Sequence, residues 1–157
     1  LILILNSRRA GLETLAGSTN AEIFAFVDNT ALNNKNLESP DEYQSLFVIL
    51  DRELRMQKWY CMPRLTLNQL SELSGLSTRD ISRCINLVAG ISFNDFINQL
   101  RIEQIKRALM SDKKSNLTDL AFTVGFSSKA AFNQSFKKIT GMTPSEFRGR
   151  SSPESSF

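Results

Sequence analysis

The side chains best placed to do chemistry in this 157-residue chain fall in two short runs. Arg79, Ser82, Arg83 and Asn86 recur at steps of 3, 1 and 3, so a helix would carry them on one side. Lys129, Ala130, Asn133, Gln134 and Lys137 repeat that pattern fifty residues on. An arginine fork matches O6 and N7 of guanine, and an Asn or Gln amide matches N6 and N7 of adenine. Lysines and helix N-termini suit phosphates. Phosphate contacts are therefore expected from Lys137 and Lys138, from Thr78 and Ser128 at the helix starts, and from Asn86. A single polar helix face is ordinarily just solvated surface. Two copies, polar on the matching face, are harder to explain that way.

Other chemistries are excluded early. The chain has no histidine, which removes Ser-His-Asp and Cys-His nucleophiles, HExxH metalloproteases and Cys/His zinc fingers. Its two cysteines, Cys61 and Cys84, form no CxxC pair and no disulfide framework, which suggests a reducing compartment. Cys84 is offset from the polar face and is given no redox role. No phosphate loop, metal cluster or convergent acid/base set is visible, so neither an enzyme nor a cofactor is expected. Charge is asymmetric. Residues 1–63 hold six Lys/Arg against eight Asp/Glu, whereas residues 64–157 hold thirteen against eight. The positive half points to a polyanionic partner.

The elements that must position these residues are helices. Reciprocal caps are expected at Thr66-x-x-Gln69, Ser77-x-x-Asp80, Ser92-x-x-Asp95 and Thr143-Pro144-Ser145-Glu146, with a looser one at Asn116-x-x-Asp119. Gly75, Gly90, Gly125 and Gly141 stand where helices should stop. The segment also repeats. At a shift of 50, Leu67, Leu70, Gly75 and Ser77 meet Leu117, Leu120, Gly125 and Ser127; after one insertion, Ile81, Ile85, Gly90 and Phe96 meet Phe132, Phe136, Gly141 and Phe147. Each copy has helix-turn-helix anatomy, over 66–90 and 116–141, with a connector helix over 92–110. Leu70, Leu73, Leu76, Ile81 and Ile85 form the inner face of the first copy; Leu120, Val124, Phe126, Phe132 and Phe136 form that of the second. The fold class is all-α.

Upstream, Ser39-Pro40-Asp41-Glu42 starts an amphipathic helix within 39–62, with its stripe at Tyr43, Leu46, Phe47, Leu50 and Leu54. The stripe either docks on the following domain or pairs two chains as a homodimer. Residues 1–38 read as a less ordered segment or linker, with one strand over Ala21 to Val27. Its apolar start, Leu1 to Leu5 followed by Arg8 and Arg9, reads as the end of a membrane helix, or else as a short buried strand or ragged terminus. Residues 150–157 read as a disordered tail.

Three runs carry a family resemblance. Leu65-Thr66-Leu67-x-x-Leu70-Ser71-x-x-Ser74-Gly75-Leu76-Ser77 resembles the first half of an AraC/XylS-type DNA-binding domain. Gly90-x-Ser92-Phe93-x-Asp95-Phe96-Ile97-Asn98-x-Leu100-Arg101-Ile102 resembles its connector. Ala121-Phe122-x-Val124-Gly125-Phe126-Ser127-Ser128, followed by Phe132-Asn133-x-x-Phe136-Lys137-Lys138-x-Thr140-Gly141-Met142-Thr143-Pro144-Ser145-Glu146-Phe147-Arg148, is similar to its second half. The resemblance covers about 63–149. It implies a bacterial transcription regulator, cytoplasmic or tethered to the inner membrane. Its partners would be double-stranded promoter DNA and RNA polymerase, and no small-molecule site is evident. By matched position, Arg79, Ser82 and Arg83 would read bases from the first recognition helix, and Lys129, Ala130, Asn133 and Gln134 from the second. Arg101 falls at a structural arginine of the connector. Two departures stand out. Ile85, Asn86, Leu87 and Val88 replace the usual aromatic and basic residues, and Gln134 replaces a frequent arginine. The thinned charge keeps open a protein-interaction module on a degenerate helix-turn-helix fold.

Overall fold

The computed structural model describes residues 39–112 and 115–150, which belong to one compact unit, Leu37–Phe157. The readings placed on residues 1–38 and 151–157, including the strand and the apolar start, lie outside the described residues. The described part is helical, with no strand. Its elements are α1 (Pro40–Gln57), a single 3-10 turn (Trp59–Cys61), α2 (Leu67–Ser74), α3 (Thr78–Ala89), α4 (Phe93–Ser111), α5 (Leu117–Thr123), α6 (Lys129–Thr140) and α7 (Pro144–Arg150).

Local chemistry sets most of these boundaries. Ser39 caps α1 reciprocally with Glu42, and Pro40 sits at N1, where its missing N–H costs nothing. Thr66 with Gln69, and Thr143 with Glu146, close the same two bonds. The aspartates at Ser77 and Ser92 differ from expectation. Ser77 and Ser92 accept the N3 amides, but Asp80 and Asp95 accept the cap hydroxyls at 2.7 and 2.9 Å rather than the cap amides. Aspartate is one methylene shorter than the glutamate of a full box. Asn116 bonds the Thr118 amide instead of reaching the third residue.

The first three helices form one bundle. α1 packs against α3, and Tyr43, Leu46, Leu50 and Leu54 are at most 2% exposed. Phe47 meets Phe96 of α4 with centroids 5.3 Å apart, and Arg55 bonds Glu103 of α4 at 2.8 Å. The expected stripe thus docks on the domain. α1 packs directly on the helix that carries the buried Ile81, Cys84 and Ile85.

The connector is a packed helix rather than a bare strut. Phe96, Ile97, Leu100, Arg101, Ile102, Ile105 and Leu109 are all buried along α4, on more than one side. Ile102, Ile105 and Leu109 join Ala121, Val124, Phe126, Phe132 and Phe136 in the second core. Burying each such large apolar side chain contributes about 1.5–3 kcal/mol.

Arg101 fastens the turn between α1 and α2 to both halves. It donates from Nε to the Tyr60 carbonyl at 2.7 Å and from Nη2 to the Met62 carbonyl at 2.8 Å, and its guanidinium lies 5.4 Å from the Phe126 centroid. Burial holds its pKa below the usual arginine value. The structural role expected of Arg101 thus has a mechanism: carbonyl oxygens satisfy a buried cation. Gly125 makes room beside it. Its φ is +96°, and a Cβ there would lie 2.6 Å from the Cys61 carbonyl oxygen. Gly125 is also the helix stop the repeat suggested: it follows the cap residue with a left-handed φ, and the Gly125 and Phe126 amides donate to the Phe122 and Ala121 carbonyls, both at 3.0 Å. Val124 caps α5, one residue earlier than Gly75 caps α2.

Candidate nucleic-acid interface

Each helix-turn-helix carries its polar residues on its second helix. In α3 the inner positions Ile81, Cys84 and Ile85 face the core. The opposite side presents Arg79, Arg83 and Asn86 exposed, with Ser82 partly covered and Thr78 at N1. Burial pushes the Cys84 thiol up to about 12, and its Sγ lies 3.2 Å from the Ile81 carbonyl, so the thiol is held protonated and inward. In α6 Phe132 and Phe136 point inward, and Lys129, Ala130, Asn133, Gln134, Lys137 and Lys138 are exposed. Both expected polar faces therefore stand clear of the core.

The structure separates these side chains by what holds them. Arg79 has no ion-pair, hydrogen-bond or ring partner among the described residues. Arg83 lies with its guanidinium carbon 5.0 Å from the Tyr43 ring centroid of α1. Asn86 approaches Ser82 at 3.5 Å, a weak contact. Ser128 caps α6 by accepting the Ala131 amide at 3.1 Å, which leaves its hydroxyl proton free to donate. Lys138 differs from the expectation of a free phosphate-binding cation. Its ammonium bonds Asp95 of α4 at 2.6 Å, and Lys138 first, then Ser92, holds that carboxyl below its ordinary pKa. Lys137 makes no such bond among the described residues; its charge only adds to the Thr143 hydrogen bonds that hold the Glu146 carboxyl below its ordinary pKa.

Lys129, Asn133, Gln134 and Lys137 line a groove of about 630 Å³ together with Thr143 and Pro144. A larger cleft of about 730 Å³ opens between Arg64–Leu67, the start of α4 and the Gly125–Ser127 turn. None of the polar-face residues lines it. Sequence reading missed two contributors. Tyr43 was placed only in a hydrophobic stripe, and Asp95 only in a cap; both partners are brought in by tertiary packing that periodicity does not encode. No metal-ligating group of three or more His, Cys, Asp or Glu occurs among the described residues, and no helix there is long and apolar enough to cross a membrane.

Known proteins share this architecture. A family profile described as a helix-turn-helix domain matches residues 70–150, just over half of the chain. An uncharacterized HTH-type transcriptional regulator of Staphylococcus aureus (strain COL) is 39% identical over 85 residues, which is 54% of this chain and 11% of that protein. The chain thus matches only about a ninth of that relative's length. The C-terminal domain of AraT, a response regulator from Geobacillus stearothermophilus, superposes with a TM-score of 0.56 at 29% identity, covering 65% of this chain and 84% of that one. A probable AraC family transcriptional regulator from Rhodopseudomonas palustris CGA009 gives a TM-score of 0.50 at 27% identity, covering 64% of this chain and 94% of that one. With its paired helix-turn-helix units on one connecting helix, the chain belongs to the AraC/XylS family of DNA-binding transcription regulators.

Proposed function

We propose that this chain reads promoter DNA by placing α3 and α6 in two successive major grooves, in the bacterial cytoplasm, as the output region of a regulator that acts with RNA polymerase. The observation that carries the reading is the pair of exposed polar faces joined by one helix. α4 has 19 residues, about 28 Å of axis. Successive major grooves on one face of B-DNA lie about 34 Å apart. The width of the two units supplies the remainder, or modest bending does, at about 1–6 kcal/mol. Arg79, Ser82 and Arg83 read base edges from α3, and Lys129, Ala130, Asn133 and Gln134 do so from α6. Thr78, Asn86, Ser128 and Lys137 hold phosphates. Lys138 shares its ammonium between Asp95 and a phosphate. We assign no catalytic role to any of these residues.

The test is titration of specific and random duplexes at fixed salt. Arg83→Ala should relax discrimination at one base pair by about 1–3 kcal/mol. Lys137→Ala should weaken binding to all sequences alike and lower the salt slope by about 1. Equal losses on every duplex for both variants would remove base reading by Arg83. A protein-interaction role has one observation in its favour: Leu87 is 57% exposed beside the polar face of α3. Recovery of a protein partner with no duplex binding at low salt would select it.

A further inference from the structure

We infer that Tyr43 is a positioning residue for Arg83, and that α1 is thereby part of the first reading head. The inference rests on the DNA-reading proposal above. Three observations carry it. The Arg83 guanidinium carbon sits 5.0 Å from the centroid of the Tyr43 ring. The ring itself is fixed: Tyr43 is 1% exposed, one turn into a capped helix, and shares its stripe with the buried Leu46 and Leu50. Arg83 is nevertheless exposed, and it has no carboxylate partner among the described residues.

The chemistry fits a reader held ready. A cation against an aromatic face is attracted through the ring's π density, and the guanidinium keeps its in-plane N–H donors for other partners. Those donors are the ones a guanine edge takes as a pair. A free arginine must lose the freedom of a long side chain on binding; one already rested on a rigid ring loses less. Arg79, on the same face, has no such platform, and none of the α6 face residues lies against a ring among the described residues. The two arginines of α3 should therefore behave differently. Arg83 depends on α1, and Arg79 does not.

The experiment uses the full chain and a duplex site obtained by random-oligonucleotide selection. Tyr43→Leu keeps apolar bulk and removes the ring; Tyr43→Phe keeps the ring. Tyr43→Leu should cut discrimination about two- to fivefold, at the base pair that Arg83→Ala relaxes, with affinity for random duplex unchanged. Tyr43→Phe should match the wild type. In an Arg83→Ala background, Tyr43→Leu should have no further effect. Full discrimination by Tyr43→Leu, or an equal loss in both backgrounds, overturns the inference while leaving base reading intact. A wild-type chain with no preference for any duplex overturns the reading proposal itself, and the inference with it. A second measurement needs no variant to fold. In the free wild-type protein, NMR resonances of the Arg83 side chain should be displaced upfield by the ring current of Tyr43, and random-coil values would overturn the contact.

Discussion

The two helix-turn-helix units repeat in sequence but are closed by different means. The second unit closes on aromatic rings drawn from its own stretch of chain. Phe126, Phe132, Phe136 and Phe147 form a run of contacts with successive centroids 5.5, 5.6 and 5.5 Å apart. The first unit has aliphatic residues at three of the four matching positions, Leu76, Ile81 and Ile85, and keeps a ring only at Phe96, which meets Phe47 of α1. It recruits α1, whose Leu46, Leu50 and Leu54 complete the core. The lesson is that two short helices cannot bury an apolar face alone. One unit brings bulk, the other brings a third helix, and a different outside element reaches each reading helix: Tyr43 of α1 lies against Arg83, and Asp95 of α4 bonds Lys138.

Core truncations should give the largest effects. Phe136→Ala should cost about 3–5 kcal/mol, and Leu50→Ala about 2–5 kcal/mol, both measured by denaturant unfolding. A surface-like loss under about 0.5 kcal/mol for Leu50→Ala would return α1 to the status of a detached linker. The next contrast is between turn glycines. Gly125→Ala meets both a positive φ and the Cys61 carbonyl, and should cost about 3 kcal/mol. Gly75→Ala faces open space and should cost about 1 kcal/mol, from φ alone. Equal losses would mean that the α1–α2 turn does not press on the second unit.

Reading should be sharper to test than folding. Gln134→Ala should relax discrimination at one base pair by about 1–3 kcal/mol, within the half-site of α6 and not that of α3. The smallest effect concerns the bridge between α6 and α4. Lys138–Asp95 is exposed and should contribute about 0.2–1 kcal/mol. Because the folded state holds the Asp95 carboxyl below its ordinary pKa, this contribution is present above about pH 4 and is lost as pH falls through the folded value. Asp95→Asn should therefore lower stability at neutral pH and make no difference in strong acid, followed by thermal unfolding across that window. Removing the bridge should also free Lys138 and steepen the salt dependence of duplex binding.

Much of this was legible in the residues because caps, stops and 3.6-residue spacing are local. Ser39, Thr66 and Thr143 fixed helix starts, and the inner faces of α3 and α6 followed from spacing. What escaped was tertiary. A stripe such as Tyr43 to Leu54 shows that a helix must bury one side, not against what; a docked helix and a dimer seam share that pattern. A Ser-x-x-Asp run shows a cap but hides that Asp95 also takes Lys138. The spacing of Arg83 shows which side it is on, while its ring partner lies forty residues upstream.

The most direct measurement of the central claim is footprinting on a duplex obtained by random-oligonucleotide selection, with stoichiometry determined on the same complex. One chain per duplex should protect two major-groove segments about one helical turn apart, and Arg83→Ala and Gln134→Ala should each relax a different one. A single protected segment per chain, or two segments only when two chains bind, would contradict it.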